Sequence, residues 1–290
     1  MTKTYTVAGH SFRFAIPRGN ALLEQLGQYA PFESPEAGNP IFTVEVVKEL
    51  PQLSLTQVYG GNEEPGQPVI ILYRNGSGWA FDMHPMAGHP ASGRVVADSG
   101  FTQARLKVLD PSQALFALNN AAMLMFAFRT AGMGTLEMHA SVIVNGGRAF
   151  LWLARSGTGK STHSRLWHQY VPGCDLMNDD NPVIRVSADG IMVYGSPWSG
   201  KTLCYRNVSA PIRALVRLEQ APENRIERLS GLQAYASVLA ACSSIRWNSS
   251  VMDSIVRSVE TLAMTVPCFR LSCLPDKEAV ELCRNTIESP

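Results

Sequence analysis

The sequence predicts a protein of α+β or α/β class in two parts. A β-rich front spans residues 1–110, and a mixed-sheet domain over residues 111–290 ends in helices. Three observations carry this. Short alternating apolar segments punctuated by Gly and Asn fill the front. The apolar run Ala149–Leu153 leads through a Gly-rich loop into the helix-like Ser164–Trp167. Three helical patterns, 231–242, 249–264 and 277–287, close the chain.

The elements follow in order. Tyr5–Val7 and Phe12–Ile16 flank Gly9-His10, a hairpin signature, and Ile41–Val47 alternates apolar and polar residues. Val69–Tyr73 and Trp79–Met83 flank Asn75-Gly76, a strong turn signal. Residues 31–40 and 60–68 are rich in Gly, Pro and Glu and read as loops. Asp110-Pro111-Ser112 opens a helix that runs to Thr130 and stops at Gly132 and Gly134. Its face Leu115, Leu118, Ala122, Met125, Phe126 and Arg129 is a packing stripe rather than a cofactor box; Arg129 is expected in a surface ion pair. Strands are expected at 138–144, 149–153, 182–186, 191–194 and 214–218, with a short one at 268–271 between the last two helices.

Composition narrows the function. A hydrophobic content of 46% with 17% charged residues describes a globular protein long enough to bury a large core. The net charge of +1 gives no electrostatic case for nucleic acid as a partner. The polar start, Met1–Tyr5, lacks an apolar signal core, and the longest apolar run, Ala121–Phe128, is too short to span a bilayer, so a cytoplasmic protein with no membrane partner is expected. The six cysteines form no Cys-x2-Cys pair, and no His pair completes a zinc pattern. They read as reduced thiols; Cys268 and Cys273 fall on opposite faces of a strand, which argues against a disulfide.

The chemistry concentrates in Ala154-Arg155-Ser156-Gly157-Thr158-Gly159-Lys160-Ser161. This fits the phosphate-binding P-loop pattern in its strand–loop–helix setting. Small residues let successive backbone N–H groups curl around phosphate oxygens, and the following helix adds its positive end. Ser156, Gly157, Thr158, Gly159, Lys160, Ser161 and Thr162 are therefore the candidate nucleotide site, with Lys160 on the outer phosphates and Ser161 on Mg2+. Asn178-Asp179-Asp180 follows by one helix and a short loop, a spacing that returns the chain to the sheet edge beside the P-loop. Two adjacent carboxylates suit phosphoryl transfer: one holds magnesium and the other accepts a proton from an attacking hydroxyl. His139, one hairpin before the P-loop, is ambiguous by itself. In Gly195-Ser196-Pro197-Trp198-Ser199-Gly200-Lys201, Lys201 is placed to neutralise a transferring phosphoryl group and Trp198 to cover a base or exclude water; the alternative is a plain tight loop. Arg206 is a further candidate of the same kind, and Arg246-Trp247-Asn248 reads as an aromatic–cation contact or, better, a helix-joining loop.

The order Met138-His139-Ala140-Ser141, then Ser156–Thr162, then Asn178-Asp179-Asp180 resembles the HPr kinase/phosphorylase and phosphoenolpyruvate carboxykinase superfamily. The resemblance covers roughly residues 136–200 and runs less clearly to 275; the whole chain looks like a bacterial HPr-kinase-related group in which a Gly-x-Pro-Trp-Ser-Gly-Lys element follows the Asp-Asp. It implies an HPr kinase/carboxykinase-like P-loop domain with a mixed sheet. By the carboxykinase pattern, His139 and Asp180 lie near the divalent ion; by the HPr kinase pattern, Asp179 or Asp180 activates a hydroxyl. It also implies a possible homo-oligomer. The oxaloacetate-binding arginines and metal-binding lysine of carboxykinases are not found here, nor is the Arg-Gly-rich element of HPr kinases.

The resulting expectation is an ATP- and Mg2+-dependent kinase that transfers a phosphoryl group to a hydroxyl, on a protein serine or a small metabolite. Asp179, Asp180, His139 and Lys160 are its catalytic candidates, and Ser161 and Asp180 its metal ligands. No Asn-Lys-x-Asp guanine reader is present, which favours ATP. Two other readings are a phosphate- or pyrophosphate-linked phosphorylase and a nucleotide-binding regulatory protein with little turnover.

Overall fold

The computed structural model describes residues 1–35, 38–61, 67–200, 202–243 and 248–288. The chain divides into two compact units, Met1–Thr130 and Ala131–Pro290. The architecture is mixed α+β, with a β-rich N-terminal region and helices toward the C-terminus.

In the first unit, β1 (Thr2–Val7), β2 (His10–Ala15), β3 (Phe42–Val47), β4 (Leu55–Tyr59), β5 (Val69–Asn75), β6 (Gly78–His84), β7 (Gly93–Ala97) and β8 (Gln103–Val108) form one sheet. Its order is β1-β2-β3-β8-β7-β6-β5-β4. β3 runs parallel to both β2 and β8; the other neighbours are antiparallel. The first hairpin turns at Ala8-Gly9, both at positive φ (50° and 74°), as a tight two-residue turn requires. The second turns at Gly76-Ser77 rather than Asn75-Gly76, because Asn75 pairs with Gly78 and stays in the ladder.

A 3-10 segment, Ala21–Phe32, and α1 (Ala114–Thr130) complete this unit. Asp110 opens the approach to α1 by accepting a hydrogen bond from the Ser112 N–H, with Pro111 following. Leu118, Ala122, Met125 and Phe126 are buried as a packing stripe against β3, β7 and β8. The helix approaches so closely at β7 that a Cβ on Gly93 would sit 2.8 Å from the Ala117 Cβ. The apolar face of α1 is covered by the front sheet, and the helix falls in the compact unit Met1–Thr130. Arg129 donates from Nε to the Ile41 carbonyl (3.2 Å) and, among the described residues, joins no ion pair.

The second unit holds β9 (Thr135–Glu137), β10 (Ala140–Asn145), β11 (Arg148–Leu153), β12 (Asp175–Asp180), β13 (Val183–Ser187), β14 (Gly190–Tyr194), β15 (Ser209–Gln220), β16 (Arg225–Leu229) and β17 (Cys268–Cys273). Its mixed sheet has the order β12-β10-β11-β15-β14-β13-β9, with β17 beside β15 and β16 beside β17. β15 is parallel to β11 and β17, and the remaining pairs are antiparallel.

Helices cover both faces. Alternation along β11 sends Phe150 and Trp152 to one core, shared with Trp167 of α2 (Lys160–Tyr170) and Val280, Cys283 and Ile287 of α5 (Lys277–Glu288). Ala149, Leu151 and Leu153 face the other core, shared with Val238 of α3 (Gly231–Ala241) and Ile255, Val259 and Leu262 of α4 (Ser249–Thr265). Full burial of each such side chain contributes about 1.5–3 kcal/mol, which fixes the central strands and so the loops at their ends. All six cysteines are free.

Candidate functional site

Register brings the candidate residues together. β10 lies between β11 and β12 and is antiparallel to both, with Ala140 opposite Leu153 on one side and opposite Asp180 on the other. The start of β10 and the ends of β11 and β12 therefore meet at one edge of the sheet. His139 precedes the first, the 154–159 loop leaves the second, and Asp179 and Asp180 end the third.

The loop turns at Gly157 (φ 78°) and Gly159 (φ 124°), conformations that side chains other than hydrogen avoid. A hydrogen bond from the Thr158 N–H to the Arg155 carbonyl closes it, and Gln220 at the end of β15 donates to the Thr158 carbonyl. Gly159 caps α2 through its carbonyl, and no side chain competes for the free N–H groups of the first turn.

Lys160 is buried, and its Nζ lies 2.7 Å from His139 Nε2 and 3.1 Å from the Ala154 carbonyl. Because an ammonium only donates, His139 Nε2 accepts and its Nδ1 carries the proton, which points at Asp180 Oδ1 (3.0 Å). Burial lowers the Lys160 pKa, partly offset by the charges of Asp180 and Asp179. For Asp180 burial acts upward, but the hydrogen bond from His139 Nδ1–H, the charge of Lys160 and the hydrogen bond from Asn181 outweigh it and hold the carboxyl below its ordinary value. Asp180 also sits at φ 117°, a strained conformation for a residue with a side chain.

Asp179 points the other way, as alternation along a strand requires. It is 2% exposed and accepts from Ser161 Oγ (3.1 Å). The backbone of this pair is clamped by the following loop: Gly200 N–H and Ser199 Oγ donate to the Asp179 carbonyl (2.7 and 3.0 Å). Asn178 is buried and ties the same loop, donating to Ser196 Oγ and the Trp198 carbonyl and accepting from the Asn181 N–H.

An open cleft of about 840 Å³ lies over these groups, lined on the loop side by Ser156, Gly157, Gly159, Lys160, Ser161 and Thr162 and across from them by Asp179 and Asp180. Arg206 also lines it, donating to the Leu176 carbonyl (2.7 Å). Trp198 does not: it is buried, and its carbonyl supports Asn178. Lys201 and residues 246–247 lie outside the described residues. Sequence reasoning missed Asn178 as a brace and Arg165 and His168 as cleft residues. The last two share a helix face with Ser161 at i+4 and i+7, so helical periodicity from the loop onward was the available signal. Among the described residues, no group of three His, Cys, Asp or Glu side chains is arranged to hold a metal ion alone.

A family model described as SynChlorMet cassette protein ScmC matches residues 106–275. This stretch is more than half of the chain and includes every site residue named above. The chain belongs to the ScmC family. That corrects the assignment to an HPr kinase/phosphorylase-related group made from the sequence. The residues that carried it are short stretches at a single sheet edge. Such stretches report local chemistry, which unrelated families share, and do not establish descent. Among solved structures, the HPr(Ser) kinase/phosphatase from Coxiella burnetii is similar at 13% identity and a TM-score of 0.31, over 52% of this chain and 92% of that one. A likeness that slight carries no argument about this ScmC-family chain. No curated protein matches it.

Proposed function

We propose that residues 131–290 form a phosphotransferase that uses ATP and Mg2+ and moves the γ-phosphoryl group to a hydroxyl acceptor. One observation carries the reading: a glycine-turned loop at a helix N-terminus, a buried lysine and two oppositely directed carboxylates converge on one cleft.

The loop amides and the N-terminal turn of α2 would cradle the phosphates, and Lys160 would leave His139 to reach their outer oxygens. The carboxylates of Asp180 and Asp179 favour the ammonium of Lys160 against the opposing effect of burial, which suits it to a polyanion. Ser161 Oγ and the Asp179 carboxylate, already 3.1 Å apart, are hard oxygen donors suited to Mg2+. This favours Asp179 over Asp180 as the metal-side carboxylate. With so few protein ligands, the ion would take its remaining ligands from phosphate oxygens and water, as Mg2+ ordinarily does. When bound, the ion would neutralise charge on the transferring group. Asp180, oriented by His139 Nδ1–H and Asn181 Nδ2, would accept the hydrogen bond of the attacking hydroxyl and align it.

The test is label transfer from γ-labelled ATP in a cell extract. The wild-type chain is expected to label an acceptor, whether protein or metabolite. Asp180→Asn should keep nucleotide binding while losing transfer by about 10²–10⁴-fold, the usual range for a positioned acid–base group. Asp179→Asn should weaken Mg2+-dependent nucleotide binding itself. Equal transfer by wild type and both variants would refute the assignment.

A further inference from the structure

The cleft extends beyond what a phosphate cradle needs. Along α2, Ser161, Arg165 and His168 line one wall in sequence, and Arg206 stands on the other with Asp175 and Leu176 of β12. A rise of about 1.5 Å per residue puts Arg165 roughly 6 Å and His168 roughly 10 Å further along the helix axis than Ser161. These groups therefore lie beyond the loop amides, down the cleft.

Their bonding leaves them available. Among the described residues the Arg165 guanidinium has no hydrogen bond or ion pair. The guanidinium of Arg206 is aimed by the Leu176 carbonyl (2.7 Å) and only loosely balanced by Asp175, at 3.6 Å. His168 bonds the Cys174 carbonyl through Nδ1 (2.8 Å). A carbonyl only accepts, so Nδ1 carries the proton and Nε2 remains the ring's second polar atom. Two arginines against one loosely paired aspartate make this end of the cleft cationic, while the reacting end carries Asp179 and Asp180. Guanidinium groups bind phosphate and carboxylate through paired, directional N–H donors.

Resting on the phosphotransferase reading, we propose that the α2–β12 end of this cleft is the acceptor subsite. The acceptor would be a small hydroxy compound that carries its own phosphate or carboxylate, gripped by Arg165 and Arg206 beside His168. Its hydroxyl would then lie toward Asp180 while its anionic group is held down the cleft, so the arginines act as positioning residues for the nucleophile.

Glycerol 3-phosphate serves as probe and glycerol as its uncharged analogue, each titrated into the full chain with and without saturating Mg-ADP. The His168 ring signals in NMR are the readout. Glycerol 3-phosphate is expected to shift them saturably and glycerol is not. Arg165→Ala and Arg206→Ala should each weaken probe binding by about tenfold, the loss of one charge-assisted contact. Both variants should bind ADP within about twofold of wild type by calorimetry. The inference is overturned if glycerol shifts His168 equally, if neither arginine variant alters probe binding, or if Arg165→Ala weakens ADP binding as Lys160→Ala does. An acidic peptide that displaces the probe and binds much more tightly would also overturn it, in favour of a protein acceptor. Failure of wild type to bind ADP would count against the phosphotransferase reading, and the nucleotide-free titration would still decide the anion subsite.

Discussion

At the scale of single residues, Asp180 is the most constrained position. Its φ of 117° is a conformation that costs a side-chain residue about 1–3 kcal/mol. The strain is retained where the carboxylate meets His139. Asp180→Gly and Asp180→Ala both remove the carboxylate, but only glycine relieves the backbone. Chemical denaturation should therefore find Asp180→Gly more stable than Asp180→Ala by roughly 1 kcal/mol; the reverse order would remove strain from the account. His163 gives a pH prediction. It is buried under Trp152, accepts from Trp167 Nε1, and burial lowers its pKa from 6.5 to about 4. The unfolded chain thus binds the extra proton first as pH falls from 6.5 to 4, and the native state loses stability through that window. At about 1.4 kcal/mol per unit the loss approaches roughly 3 kcal/mol. His163→Phe should flatten that part of the stability profile, as read by urea midpoints at pH 4 and pH 7. Lys160, Ser161, Asp179 and Asp180 could be singled out in the sequence because the phosphate-loop pattern names those residue types at that spacing, and the fold brings them together at one cleft. The sequence hid the partner choices, such as Ser161 with Asp179 rather than Asp180, because which way each carboxylate faces depends on the register of β12 against β10.

At the scale of elements, the loop 195–200 acts as a brace. A Cβ on Gly195 would collide with the Arg206 carbonyl, and one on Gly200 would meet the Asp180 Cβ at 2.9 Å. Gly195→Ala presses backbone against backbone and should cost roughly 1–3 kcal/mol in thermal or urea unfolding. Gly200→Ala presses instead on the Asp180 side chain. Label transfer should fall more than stability does, and an unchanged rate would show that the loop does not position Asp180. The strands at 149–153 and 214–218 were legible because both faces are buried and the residues read as apolar runs. β12 was visible only as an acidic pair beside the sheet. It is an edge strand ending in Asn178-Asp179-Asp180, residue types of low strand propensity. The 3-10 segment at 21–32 carries an internal proline, Pro31, and shows no clean helical or strand period, so sequence patterning had nothing to follow.

At the scale of the whole molecule, the division at 130/131 leaves all the cleft-lining residues in one unit. Residues 111–133 are long and apolar enough, by length and composition, to cross a membrane, yet α1 within them lies on β3, β7 and β8, as the core helix of a globular unit does. An apolar helical pattern declares in the sequence that it is buried, but not which sheet buries it. If the second unit carries the chemistry, Mg-ADP at about 100 times its Kd should stabilise the full chain by roughly 2.7 kcal/mol. Under the proposed function, the 154–161 loop, Lys160 and Asp179 together grip a nucleotide polyphosphate with its divalent ion. Isothermal titration calorimetry of the full chain with ADP, with and without Mg2+, tests this most directly. Saturable binding at one site per chain is expected, strengthening with Mg2+ and disappearing in Lys160→Ala. An absence of heat with any nucleotide and divalent ion, or binding that survives Lys160→Ala unchanged, would contradict it.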